Sequence, residues 1–153
     1  MAAYFFDTSA LVKRYATETG TAWVTALLDP ATRNRIFVAR ITGAEVISAI
    51  MRKKRGLKIS EPDANTAAAL FRLDFAGRFR VVEITSTLIE SAMVLAETHA
   101  LRGYDAVQLA AALHTQARRR ARGLPDISLI TADGDLLSAG VAEGLATDDP
   151  NNH

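Results

Sequence analysis

Short apolar runs alternate with longer amphipathic stretches along this chain, and that rhythm constrains the fold more than any other feature. Tyr4-Phe5-Phe6 is an aromatic run that reads as a strand ending at Asp7, and Ile36-Phe37-Val38-Ala39 is a second. Phe79 to Ile84 is a third, Ile127-Ser128-Leu129-Ile130-Thr131 is the clearest, and Leu145-Ala146-Thr147 offers a short edge strand. Between the runs, apolar residues recur at the spacing that gives a helix one buried face. Helices are predicted from about Gly43 to Lys54, from Ser60-Glu61-Pro62-Asp63 to about Gly77, from Ser86 through Ala96, from Asp105 to about Arg120 and from Asp135 to Glu143. In the Asp105 helix, Val107, Ala110, Ala111 and Leu113 read as the buried stripe. Thr8 or Ser9 is expected to cap a shorter helix through Tyr15, and Gly20 to open one carrying Trp23, Ala26 and Leu27. Strands alternating with helices imply a parallel sheet with helices on both faces, a three-layer α/β/α fold of about five strands.

At 153 residues the chain suits one domain, predicted over residues 1–147, with 148–153 as a disordered tail. Its 49% hydrophobic and 23% charged residues fit a globular class rather than a disordered one. The absence of cysteine excludes a disulfide framework and thiolate zinc sites, and fits a reducing cytoplasm. The N-terminus lacks the basic and long apolar regions of a signal peptide, and no apolar run approaches the ~20 residues of a membrane span. The expected location is the cytoplasm, with no membrane partner. Net charge is only +1, yet Arg52-Lys53-Lys54-Arg55 with Lys58, and Arg118-Arg119-Arg120 with Arg122, form two basic clusters. Such clusters hold phosphates, or simply compensate the dipole where a helix ends.

The acidic residues follow the strands. Ligands of a parallel α/β sheet bind at the carboxyl ends of its strands, where the next helices begin. Asp7 closes the first strand, Glu45 lies in the first turn of the helix after the second, Asp105 starts a helix returning to the sheet, and Asp133 follows the fourth strand. No histidine or cysteine accompanies them; His99 and His114 fall within helices and have no partner motif. Four carboxylates on one edge repel unless they share protons or hold a hard cation, and an all-oxygen set suits Mg²⁺ or Mn²⁺ better than zinc. Each acid also has a local alternative. Thr42-Gly43-Ala44-Glu45 matches a capping box, Asp105 offsets a helix dipole, Asp7 starts an Asx turn, and Asp133 or Asp135 caps the last helix.

Three segments resemble a known family. Tyr4-Phe5-Phe6-Asp7-Thr8-Ser9-Ala10-Leu11-Val12-Lys13-Arg14-Tyr15 is similar to the opening of PIN-domain proteins, especially the VapC toxins of bacterial toxin–antitoxin pairs. Arg102-Gly103-Tyr104-Asp105-Ala106-Val107-Gln108-Leu109-Ala110-Ala111-Ala112 resembles their central helix, and Ile130-Thr131-Ala132-Asp133-Gly134-Asp135-Leu136-Leu137 their third block. The resemblance implies strand order 3-2-1-4-5 and a Mg²⁺- or Mn²⁺-dependent endoribonuclease. It makes Asp7, Glu45 and Asp105 the principal catalytic and metal-binding acids, with Asp133, or its neighbour Asp135, as the fourth. Thr8, Ser9 and Thr131 match hydroxyls that bond a ligand, a water or a helix end. The resemblance further implies a homodimer, neutralised by a small antitoxin whose C-terminal segment crosses the acidic groove. The expected reaction is in-line hydrolysis of an RNA phosphodiester by an activated water, leaving 3′-hydroxyl and 5′-phosphate ends. Lys13, Arg14 and the Arg52 cluster are candidates for gripping the RNA backbone, and Tyr104 for lining the RNA groove; Trp23 and Tyr15 either stack bases or, as the better reading, pack helices or a dimer contact.

Other classes remain beside this one. A housekeeping PIN nuclease of RNA processing, or a non-catalytic metal- and RNA-binding adaptor, would keep the same acids. An aspartyl-phosphate phosphatase also places an Asp after its first strand, but needs a second Asp two residues on, where this chain has Ser9, and a lysine that Ile127–Asp135 does not supply.

Overall fold

The computed structural model describes all residues from Met1 to His153. It forms one five-stranded parallel sheet of β1 (Ala3–Phe6), β2 (Arg35–Ala39), β3 (Arg80–Val82), β4 (Ser128–Ile130) and β5 (Ala146–Asp148). The order across the sheet is β3-β2-β1-β4-β5, as the resemblance implies. The chain therefore builds outward from β1 in one direction, returns, and builds outward in the other. The reversal falls between β1 and β4, whose pairing brings Phe6 opposite Ile130.

Seven helices connect the strands: α1 (Thr8–Leu11), α2 (Thr21–Leu27), α3 (Thr42–Arg55), α4 (Glu61–Gly77), α5 (Ser86–His99), α6 (Gly103–Ala121) and α7 (Gly134–Ala142). Side chains of successive strand residues point to opposite faces, and the sequence uses both. Phe5 and Leu129 join the α5, α6 and α7 layer, with Leu88, Ala92, Leu109 and Leu136. Phe6, Ile36, Val38 and Ile130 join the opposite layer, with Leu11, Val46, Ile50 and Phe71. Phe5, Phe6 and Phe71 are essentially fully buried, and each stabilises the fold by about 1.5–3 kcal/mol through burial. No helix is long and apolar enough to cross a membrane.

Several expectations shift. The predicted stripe of α6 holds in part: Ala110 and Ala111 are buried, but so are Gln108, Leu109 and Ala112, whereas Val107 and Leu113 are only half-buried. Helix α6 packs against both the sheet and α5, so most of its circumference is covered and one stripe cannot describe it. The third strand is shorter than predicted, because Thr85 already caps α5 through its hydroxyl and the Leu88 amide, at 3.1 Å. Helix α1 ends at Leu11 and gives way to a 3-10 turn over Val12–Arg14.

Residues 148–153, predicted as a disordered tail, instead complete β5 and form a 3-10 turn at Pro150–Asn152. The Lys13 ammonium explains the docking. It is buried and donates to Asn151 Oδ1 at 2.9 Å while lying 3.5 Å from Glu18. A buried cation needs such partners. Trp23 stacks on the His153 ring with centroids 4.0 Å apart. Lys13 and Trp23 are thus committed to the fold rather than available to RNA. Tyr15 is committed too: it donates to Asp74 Oδ2 at 2.7 Å, and burial raises its phenol pKa.

Candidate metal centre

The reversal of strand order leaves a crevice beyond the carboxyl ends of β1 and β4, the usual ligand position in sheets of this kind. Asp7 enters it directly from β1, and its backbone amide still pairs with Ile130 of β4 at 3.2 Å. Its carboxylate is 3% exposed and is the N-cap of α1, accepting from the Ala10 amide at 3.1 Å. The expected capping by Thr8 or Ser9 is thus performed by Asp7. Ser9 Oγ lies 2.8 and 2.9 Å from the two carboxylate oxygens, and its single proton serves one at a time. Thr131 donates to Oδ2 at 2.9 Å. Both hydroxyls are oriented from the β4–α7 loop, since Ser9 accepts from the Ala132 amide and Thr131 from the Asp133 amide, each at 3.0 Å.

Glu45 approaches from α3. The capping box that its spacing allows does not form: α3 is preceded by Ile41 in a helical conformation, with no side-chain cap. Glu45 Oε1 instead accepts from the Thr8 hydroxyl at 2.9 Å and from Gln108 Nε2 at 3.0 Å. The same Gln108 amide donates to Thr42 Oγ1 at 2.9 Å. Gln108 and Thr42 are the participants that sequence reasoning missed. The available signal was a polar residue in an alanine-rich helix, one turn after Asp105 and hence on its face.

Asp105 lies in the first turn of α6, 8% exposed, and no protein donor bonds its carboxylate. Asp133 caps α7 through the Leu136 amide at 2.9 Å, so its capping alternative is realised while its charge still acts on the crevice. Asp135 is exposed in the first turn of α7.

Electrostatics tie the acids together. Burial, opposed by the bonds from Ser9, Ala10 and Thr131, and reinforced by the charge of Asp105, pushes Asp7 up to about 7. Burial, then the charge of Asp133, raises Asp105 to about 6; Arg102 opposes, and Glu45 and Asp135 add smaller increments. Asp133 therefore acts on Asp105 more strongly than Asp135 does. As they stand, no three acidic or histidine side chains are gathered closely enough to hold one ion. Like charges repel, and Asp7, Glu45 and Asp133 have each turned to local donors. The set nevertheless fits a hard divalent cation in kind: every donor is a carboxylate oxygen, and Asp105 has no competing partner in the protein.

Similarity to known proteins follows the same residues. Residues 4–141 match the family model of the PIN domain. Ribonuclease VapC45 of Mycobacterium tuberculosis (strain CDC 1551 / Oshkosh) is 38% identical over 113 residues, which cover 74% of this chain and 76% of that protein. The crystal structure of PAE2754 from Pyrobaculum aerophilum superposes with a TM-score of 0.63 at 20% identity, covering 99% of this chain and 91% of the other. A toxin–antitoxin complex from Klebsiella pneumoniae superposes with a TM-score of 0.60 at 19% identity, covering 96% and 97% respectively. These two structures establish the fold. PIN-domain ribonucleases of the VapC kind depend in general on a divalent metal. With the match running from the first strand into α7, the chain belongs to the PIN-domain family.

Proposed function

We propose that this chain is a divalent-metal-dependent endoribonuclease and the toxin of a toxin–antitoxin pair. One observation carries the reading: Asp7, Glu45, Asp105 and Asp133 border one crevice, and mutual charge helps raise the pKa of Asp105. The 38% identity to a named VapC ribonuclease supports RNA as substrate.

Asp7, Asp105 and Glu45 would hold Mg²⁺ or Mn²⁺, with Asp133 as the fourth acid. When bound, the ion supplies Lewis acidity to a phosphodiester and acidifies water near neutral pH. Ser9 and Thr131 fix the Asp7 carboxylate and favour its charged form. Thr8 and Gln108 fix Glu45. Asp135 is the weaker rival of Asp133, being exposed and less strongly coupled to Asp105. Arg102, beside Asp105, is placed to meet a phosphate, and Tyr104, 50% exposed next to the acid, to stack a base. Arg102 thus stands in for Lys13, and Tyr104 keeps the role expected of it.

A small antitoxin and a second copy of the chain are the proposed protein partners, and the cytoplasm the proposed location. The toxin–antitoxin complex among the structural relatives supports an antitoxin. Helix α5 exposes Ile89 and Met93 one turn apart, which supports a dimer contact.

The test is to incubate purified protein with structured RNA in Mn²⁺ and in EDTA, and to map the ends of the fragments. Metal-dependent cuts with 5′-phosphate ends are expected, and Asp7→Asn is expected to abolish them without changing the circular dichroism. Cleavage that survives in the pure variant overturns the reading. The alternative, an adaptor that binds metal and RNA without cutting, would use the same acids. RNA bound in Mn²⁺ but left intact would select it.

A further inference from the structure

A second charged feature lies at the other end of α6, away from the acids. From Asp105 to Arg118 the helix rises about 20 Å at 1.5 Å per residue. Here a cavity of about 600 Å³ opens between the C-terminal half of α6 and strands β2 and β3. That volume lies within the ~300–1,000 Å³ of sites for small organic ligands.

Five arginines line it: Arg35, Arg80, Arg118, Arg119 and Arg122. Their convergence follows from the elements. Positions 118, 119 and 122 share one face of α6. In the sheet, Phe37 pairs with Arg80, and Arg35 lies two residues before Phe37 on the same side of β2. The one acid in the lining, Glu83, is held by Arg40. Arg119 donates to the Pro125 carbonyl at 2.8 Å and lies over the Phe37 ring, 5.7 Å from its centroid. Arg35, Arg80, Arg118 and Arg122 form no ion pair, whereas their neighbour Arg120 pairs with Asp126.

Helix-end compensation does not account for this set. The C-terminus of a helix carries only about half a negative charge, and Arg35 and Arg80 belong to strands rather than to the helix. In a chain of net charge +1, five arginines around one concavity make a local positive field. Guanidinium groups bind phosphate oxygens in pairs, and the apolar part of the wall, with Phe37 and Val82, suits the uncharged part of a nucleotide.

We propose that this cavity is a second ligand site, which takes a compact anion bearing two or more phosphates, of the nucleoside-polyphosphate class. Its position by the C-terminal end of α6, about 20 Å along the helix from Asp105, favours a small ligand over an RNA strand engaged at the acids.

The test is calorimetric titration of the full chain, in low salt with EDTA, using ATP, inorganic tripolyphosphate and a twelve-nucleotide RNA as separate probes. Saturable one-to-one binding of ATP or tripolyphosphate is expected, and the two probes distinguish a nucleotide from a bare polyphosphate site. Arg118→Glu and Arg122→Glu should each weaken binding at least tenfold, and Asp105→Asn should leave it unchanged. Both arginines are exposed and unpaired, so the melting temperature should hold. Should a glutamate variant fail to fold, the double variant Arg118→Gln with Arg122→Gln makes the same test without adding an acid. No binding at millimolar probe, or binding indifferent to these arginines, overturns the proposal. So does loss of RNA binding alone in the arginine variants, which would assign the patch to an RNA backbone.

Discussion

Thr8 donates its hydroxyl to Glu45 Oε1 at 2.9 Å, so the residue that follows one acid of the crevice holds another. Gln108 reaches the same oxygen at 3.0 Å from α6. Hydrogen-bond partners of metal ligands typically contribute 10- to 100-fold in affinity or activity. Thr8→Val and Gln108→Leu are therefore expected to lower cleavage by roughly 10- to 100-fold. A titration of rate against Mn²⁺ checks the origin, since the loss should recover at high metal. An equal deficit at saturating Mn²⁺ would remove Glu45 from the metal site.

Replacing the acids themselves should be more severe. Asp7→Asn and Asp105→Asn each remove several kcal/mol of charge stabilisation, which corresponds to a rate loss on the order of a thousandfold. A fluorogenic RNA assay in Mn²⁺ reads this directly, with a thermal melt to show that the fold persists.

The fourth acid can be identified by a pair of variants. Asparagine caps a helix as well as aspartate does, so Asp133→Asn should leave the melting temperature nearly unchanged while lowering activity roughly tenfold. Asp135→Asn, at the exposed and weakly coupled position, should retain most activity. The opposite ranking would move the ligand to Asp135.

The buried acids also give stability a pH dependence of defined sign. Asp7 is raised to about 7 and Asp105 to about 6, each above the 3.8 of an unperturbed aspartate. Between those values the folded protein holds more protons than the unfolded chain, so stability falls as pH rises. This stability is fully present below about pH 4 and is lost as pH climbs through 6 and 7. In metal-free buffer the melting temperature should fall from pH 5 to pH 7.5, less steeply in Asp7→Asn. Added Mg²⁺ should restore it most at the upper end, because metal and protons compete for the same oxygens.

Gly20 supplies a prediction far from the acids. Its φ is +87°, and a Cβ there would come within 2.3 Å of the Pro150 carbonyl oxygen. Gly20→Ala should cost about 1–3 kcal/mol, and a pulse-proteolysis comparison should show the C-terminal turn cleaved first.

Much of this was legible in the sequence because it rests on local periodicity. Phe5 and Phe6 point to opposite layers as the strand repeat requires, and the places of Asp7 and Asp133 follow from where β1 and β4 end. Partner choice was not legible. A Thr42–Glu45 capping box and a Glu45–Gln108 contact are equally compatible with the spacing, and only the meeting of the N-terminal turns of α3 and α6 at the carboxyl edge of the sheet selects the second. Lys13 was misread for the same reason: its burial depends on a turn more than a hundred residues away. The arginine cavity joins β2, β3 and α6, so the Arg118 cluster showed only part of it, and nothing in the sequence placed Arg35 and Arg80 beside that cluster.

The position of β4 has a consequence for synthesis. Thr131 reaches Asp7 across 124 positions, and β4 lies beside β1 rather than beyond β3. A nascent chain that has emerged only as far as α6 therefore carries Asp7, Glu45 and Asp105, but not the strand and hydroxyl that complete the Asp7 shell. The crevice closes only when the last part of the polypeptide leaves the ribosome. A chain that stops before β4 would thus present the acids without a finished Asp7 shell, and the proposed activity needs both ends of the polypeptide.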